Sequence, residues 1–193
     1  MLPNVALIGG PGAGKDTVAQ ILFEEYGYTR YAFADPLREL ASLNKLWQED
    51  VNELGYEQAK REYPEVRQYL IDLGEGIRKY DPDYFVRAFK NHYRDTAGGY
   101  TVVTDVRKQI ELRCVEQLGH RPMIILRDGV SFEGIEKLVY RNGPLVIENN
   151  GSIPDLKKKL IDLMDAADWA LGSEMRGVEY VDGIDRTTTG TGV

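Results

Sequence analysis

The sequence predicts an α/β domain on a mostly parallel sheet, and three observations predict it. Short apolar runs of strand length alternate with amphipathic segments of helical spacing along most of the chain. The first apolar run leads directly into a glycine-rich loop bearing a lysine, and that loop directly into a helical segment. A β-branched run, Tyr100 to Thr104, ends on a carboxylate, Asp105.

Each element has its own signal. Leu2 to Ile8 is apolar, contains Pro3 and is too short for a helix, so it reads as a buried strand. Thr17 to Tyr26 places Val18, Ile21, Leu22 and Tyr26 at helical spacing, and Gly27 ends it. Tyr28 to Phe33 reads as a second strand. Asp35 then reads as an N-cap with Pro36 at the first helical position, opening a helix to about Trp47. Residues 48–98 are polar and tyrosine-rich, with helical periodicity near 64–79 and 82–94, and Gly98-Gly99 breaks the region. Tyr100 to Thr104 is a strand, Lys108 to Leu118 a helix, Pro122 to Leu126 a strand and Leu145 to Ile147 a last short strand. Ser152 and Asp155 have capping-box spacing before a helix with Leu156, Leu160, Leu163 and Met164 on one face. Residues 1–182 make one domain. From residue 183 the chain is a Thr/Gly tail of low complexity with nothing to bury.

Composition narrows the function classes. A net charge of −7, from 24 Lys plus Arg against 31 Asp plus Glu, argues against non-specific nucleic-acid binding, which needs excess cationic surface. A small anionic substrate needs only a local basic pocket. The single Cys114 excludes a disulfide framework and fits a reducing, cytoplasmic compartment. Its place with Ile110 and Leu118 on an apolar helix face reads as packing. His92 and His120 are too few for a multi-histidine metal site, and no apolar run reaches membrane-span length.

The sharpest motif is Gly9-Gly10-Pro11-Gly12-Ala13-Gly14-Lys15-Asp16-Thr17, which has the P-loop spacing in the strand-to-helix context that the chemistry requires. Gly10, Gly12, Ala13 and Gly14 let backbone N–H groups turn around a polyphosphate, the helix N-terminus adds positive potential, and Lys15 reaches the β- and γ-phosphates. After Lys15 the motif normally carries Ser or Thr. Here it carries Asp16, which either holds hydrated Mg²⁺ or only caps the helix, with Thr17 a step later to meet an α-phosphate. Asp105, at a strand tip, is the candidate second magnesium-organising acid, and Arg107 follows close enough to share its crevice.

Gly14-Lys15-Asp16-Thr17, Phe33-Ala34-Asp35-Pro36-Leu37-Arg38, Leu73-Gly74-Glu75-Gly76-Ile77-Arg78, Asp81-Pro82-Asp83-Tyr84-Phe85-Val86 and Thr104-Asp105-Val106-Arg107 occur in that order. Together they resemble the phage-type deoxynucleoside monophosphate kinases, within the P-loop nucleoside monophosphate kinase group. Ile147-Glu148-Asn149-Asn150-Gly151-Ser152 resembles the segment this group places before its final helix. The resemblance spans about residues 2–165. It implies a three-layer α/β/α P-loop NTPase fold with a helical acceptor region at about 34–98 and a short lid at about 127–143. It implies transfer of the γ-phosphoryl of Mg-ATP to a deoxynucleoside 5′-monophosphate (dNMP), a reaction of positioning and charge neutralisation.

On that resemblance Lys15, Arg38, Arg78, Arg107 and Arg127 are the catalytic cations, since guanidinium forks match phosphate oxygens. Asp35, Arg38, Arg78, Tyr84, Phe85, Asp105, Arg107 and Glu111 are the acceptor-binding candidates. Asp16 and Asp105 are the metal candidates, and Arg127 and Arg141 the lid arginines. Asp35 is equally readable as a cap alone, and Arg78 as a solvated helix-face charge. Tyr84 and Phe85 read either as base-stacking rings or as core, and Phe85 stands where relatives often have Trp. Partners implied are ATP and a dNMP, with Mg²⁺, no nucleic acid and no membrane; a homodimer stays open. Two other functions fit the loop: a phosphomevalonate-type small-molecule kinase, and a slowly hydrolysing nucleotide switch. No Asn-Lys-x-Asp guanine motif is present.

Overall fold

The computed structural model describes residues 2–44, 51, 54–55, 58–59, 62–96, 98–132, 135, 137–141 and 143–176, with side chains as far as residue 166. Its strands are β1 (Asn4–Ile8), β2 (Thr29–Tyr31), β3 (Thr101–Val103), β4 (His120–Leu126) and β5 (Leu145–Glu148). Its helices are α1 (Lys15–Tyr26), α2 (Asp35–Ala41), α3 (Pro64–Tyr80), α4 (Tyr84–Thr96), α5 (Gln109–Gln117) and α6 (Ile153–Arg176). The strands form one five-stranded sheet in the order β2-β3-β1-β4-β5, and every pairing is parallel. This is a three-layer α/β/α P-loop fold. A parallel sheet gathers the C-terminal ends of all its strands on one edge, so the glycine loop after β1, Asp105 after β3 and Arg127 after β4 meet there.

Burial on both faces explains why β1 reads as an unbroken apolar run. Val5 and Leu7 pack on one face with Val18, Ile21 and Leu22 of α1 and Leu156, Leu160 and Met164 of α6. Ala6 and Ile8 pack on the other with Phe89 of α4 and Leu112, Cys114 and Val115 of α5. A third cluster lies apart from the sheet: Leu37 and Ala41 of α2, Val66 and Leu70 of α3, and Phe85 of α4. It holds together the helical region that was expected to receive an acceptor.

Several boundaries differ from expectation for identifiable reasons. Helix α1 begins at Lys15, not Thr17, because Gly14 is its cap, at φ 101. The far end is as expected, with Gly27 left-handed and closing the helix. Strand β2 is limited to the three residues that β3 can pair, and the N–H groups of Phe33 and Ala34 bond the Asp105 carboxylate instead. Asp35 is not the N-cap of α2 but its first residue, and Ala34 occupies the cap. Helix α2, expected to reach about Trp47, ends at Ala41 with Ser42 as its C-cap, and residues 45–47 and the tail from 183 lie outside the described residues. Strand β4 starts two residues early; β5 pairs it only from Met123 onward, so Pro122 leaves no ladder bond missing on that side. The capping box before α6 is present, with Asp155 Oδ2 accepting from Ser152 N at 3.0 Å and from Ser152 Oγ at 2.6 Å. No described helix is long and apolar enough to cross a membrane.

The stretch after β4, expected as a lid, is packed down along much of its described length. Val130 rests on the α1 side of the core, and Ile135 and Leu138 are buried on the α5 side. Gln109 of α5 pairs the main chain of Val139 in both directions, at 3.0 and 2.8 Å, and Glu116 accepts from Arg141 N at 2.8 Å.

Candidate phosphoryl-transfer site

The loop between β1 and α1 is held from inside and outside. Lys15 Nζ donates to the carbonyls of Gly9 at 2.8 Å and Gly10 at 2.9 Å, so the ammonium lies back along the loop. Burial, and then the neighbouring Arg107, pull the Lys15 pKa below its ordinary value, while Asp16 and Asp105 oppose the shift. Four of the predicted residues therefore share one electrostatic neighbourhood. Asp16 is exposed in the first turn of α1 and Thr17 is half-buried beside it. On the outside, Asn149 Nδ2 donates to Ala13 O at 2.8 Å, and Arg127 donates to Gly12 O at 3.0 Å. A side chain at Gly10 would overlap the main chain at Ser131, so the segment after β4 passes directly over the loop.

Asp105 is the hub of the crevice. Its Oδ1 accepts from Phe33 N at 2.8 Å and its Oδ2 from Ala34 N at 2.9 Å, which fixes the chain where β2 hands over to α2. Burial raises its pKa against those two bonds, and Asp35 adds to the rise while Arg107 opposes it. Carboxylate oxygens keep lone pairs beyond one N–H each, so Asp105 can still meet a hydrated cation.

Asp35 is a positioning group. Its Oδ2 accepts from Ala32 N at 2.9 Å, and its Oδ1 accepts from Arg38 at 2.9 Å with Arg30 at 3.6 Å. Arg30, an exposed residue on an edge strand, had no sequence signal; it joins Arg38 only because α2 turns back over the end of β2. Glu111 is 4% exposed and accepts from the N–H groups of Arg107 and Lys108 at 2.9 and 3.0 Å. That carboxylate oxygen caps α5. Burial lifts its pKa, Asp105 adds to the rise, and Arg78 opposes it, so Arg78 belongs to the same crevice.

Arg78 itself lies over the Phe85 ring, 4.7 Å from its centroid. Phe85 is 3% exposed in the α2–α4 cluster and meets Tyr84 edge-on. Of the two readings left open for Phe85, base-stacking ring or core, its placement favours core. Its ring is core and one face is covered, so its contribution is a seat for the guanidinium. Tyr84 is half-buried and lines a groove of about 390 Å³ between α2 and α4 with Asp35, Glu39 and His92. Of the two lid arginines, Arg127 grips the loop, whereas Arg141 has its main chain tied to α5 and its side chain exposed. A second cavity, about 160 Å³, opens beside the loop between Gly10, Arg127, Asp128, Phe132, Glu148 and Asn150.

Sequence reasoning passed over Asn149 as a contact to the loop. The available signal was its place just past a strand, on the edge where the glycine loop also lies. The crevice thus brings Lys15, Asp16, Asp105 and Arg107 into one electrostatic neighbourhood, with the Asp35–Arg38 pair and Arg78 on its other side.

Comparison with known proteins follows the same lines. A family model described as an AAA domain matches residues 8–84, from the end of β1 to the start of α4. A protein of Acanthamoeba polyphaga mimivirus, provisionally named a deoxynucleotide monophosphate kinase, is 25% identical over 191 residues, covering 84% of this chain and 96% of its own. Among solved structures, TT1252 from Thermus thermophilus aligns with a TM-score of 0.46 at 17% identity, over 86% of this chain and 98% of that one. An unliganded sugar kinase from Janibacter sp. HTCC2649 aligns at 0.44 and 11% identity, over 86% of this chain and 96% of that one.

Proposed function

We propose that this chain is a phosphotransferase that moves the γ-phosphoryl group of ATP to the 5′-phosphate of a deoxynucleoside monophosphate, giving ADP and the diphosphate. The observation that carries the proposal is the place of Asp105. Its two oxygens hold Phe33 N and Ala34 N at 2.8 and 2.9 Å, directly before the Asp35–Arg38 pair, and on the other side its charge reaches Lys15 of the loop. A nucleotide switch needs the loop side alone; a kinase with an anionic acceptor needs both. The similarity to the mimivirus protein supports a deoxynucleotide as that acceptor.

In this reading the loop N–H groups and Lys15 hold the donor phosphates, with Lys15 exchanging the Gly9 and Gly10 carbonyls for phosphate oxygens. Arg38, aimed by Asp35, and Arg78, seated on Phe85, take the acceptor phosphate. Arg107 sits between the two and offsets charge on the transferring group, and Arg127 holds the loop closed from the far side. Bound Mg²⁺ supplies charge neutralisation and orientation to the triphosphate. Asp16, Thr17 and Asp105 are the hard-oxygen donors that suit it, since Mg²⁺ keeps its waters and takes one or two carboxylates alongside phosphates.

The test is ADP formation from Mg-ATP with a panel of dNMPs, NMPs and phosphomevalonate. Turnover stimulated by one or more dNMPs is expected. No stimulation by any nucleotide would overturn the proposal, and stimulation by phosphomevalonate alone would reassign the acceptor.

A further inference from the structure

We infer that Asn149 is a positioning residue for the phosphate loop, pinning the Ala13–Gly14 peptide so that its N–H faces the bound phosphates. The inference rests on the phosphate-binding half of the proposed function and is independent of the acceptor.

Asn149 follows β5 and is 9% exposed. Its main chain is fixed, because its N–H donates to Leu126 O at the end of β4 at 2.8 Å. From that anchor its side-chain Nδ2 donates to Ala13 O at 2.8 Å, across 136 positions of sequence. A trans peptide unit is planar, with its C=O and N–H pointing in opposite directions, and the described chain has no cis bond. Drawing the Ala13 carbonyl toward the buried asparagine therefore turns the Gly14 N–H away from it, toward the open side of the loop.

Two further observations fit this arrangement. Gly14 sits at φ +101, and a side chain there would overlap Asn149 Nδ2, so glycine is what admits the amide. The next residue works on the neighbouring element: Asn150 Oδ1 accepts from Asp128 N at 2.8 Å, beside the Arg127 that grips Gly12 O. The connection between β5 and α6 thus holds the loop through Asn149 and the base of the Arg127 segment through Asn150.

The role needs a donor at this point. Asn149→Asp keeps the size but sets a carboxylate oxygen against the Ala13 carbonyl, which favours turning that peptide over; Asn149→Ala only removes the tether. The test is calorimetric titration of tripolyphosphate and of Mg-ATP into the wild type and both variants, with circular dichroism to establish folding. Both variants are expected to bind both ligands about tenfold or more weakly, with Asn149→Asp the weaker. Should Asn149→Asp not fold, Asn149→Ala decides. A purely structural role would lower the melting temperature while leaving affinities within twofold, and that result would overturn the inference. So would an equal loss in Lys159→Ala, whose exposed Nζ bonds Glu148 O on the same connection at 3.1 Å and does not touch the loop. A wild type that binds no tripolyphosphate would overturn both this inference and the proposed function. Binding without acceptor-dependent turnover would overturn the function alone.

Discussion

The edge of the sheet opposite the crevice, where β1, β3 and β4 begin, contains a titrating group whose effect on stability can be worked out. His120 opens β4, is 4% exposed, and bonds Thr101 Oγ1 through Nε2 at 3.0 Å and Val115 O through Nδ1 at 3.2 Å. The Tyr93 ring lies against it, with centroids 5.4 Å apart. Burial pushes its pKa down to about 4 from an ordinary 6.5, so the folded protein holds the ring neutral. The unfolded chain takes up a proton below about 6.5 and the folded chain only below about 4. The stabilisation is therefore complete above pH 6.5 and is lost as the pH falls toward 4. At about 1.4 kcal/mol per unit, the depression corresponds to a loss of roughly 3 kcal/mol. Asp105 and Glu111 act in the opposite sense, since burial raises their pKa values and the fold takes up their protons more readily than the unfolded chain does. The assay must therefore be a difference: urea unfolding of the wild type and His120→Gln at intervals from pH 7.5 to 4. The carboxylates cancel, and the wild type should lose about 3 kcal/mol more than the variant over that range. Parallel curves would refute the argument, because they would mean that His120 is already charged, or already wet, in the folded protein.

Other consequences of the structure can be checked directly. Lys15→Ala should abolish phosphoryl transfer while circular dichroism shows the fold retained, because its Nζ bonds only loop carbonyls and supports no core; near-native turnover would remove the loop from the mechanism. Arg38→Ala should raise KM for the acceptor more than for ATP, and equal effects on the two would contradict its placement on the acceptor side. Phe85→Leu should cost about 1 kcal/mol of stability as a conservative core change, yet raise the acceptor KM well beyond that by unseating Arg78; an unchanged KM would show that the ring contact does not position the guanidinium.

What could be read from the sequence was what a local rule decides. Apolar runs of strand length marked β1, β3 and β4 because those central strands are covered on both faces, whereas the edge strands β2 and β5 bury one face only. Gly27 and the Ser152–Asp155 pair marked helix ends because capping is settled within four residues. The glycine loop was legible for the same reason, its chemistry being written in consecutive residues. What could not be read depends on partners far apart in the chain. The length of β2 is set by how many residues β3 offers, and the two N–H groups left over reach Asp105, more than seventy positions away.

Phe85 shows the limit most clearly. Its neighbours Tyr84 and Val86 present the same local pattern to a reader, and an aromatic there suits either a base or a core. Only the cluster formed with Leu37, Val66 and Leu70 decides, and those residues come from two other helices. Glu111 is a related case: a carboxylate at the third position of a helix suits a cap, and its neighbourhood with Asp105 and Arg78 is visible only in the folded chain. The charged residues of the candidate site could thus be named from type and order, whereas the contacts through which Asp35, Phe85 and Asn149 aim or hold their neighbours could not. An aiming residue is defined by the atom it holds, and in each case that atom belongs to a different part of the fold from the one that gave the residue its local signal.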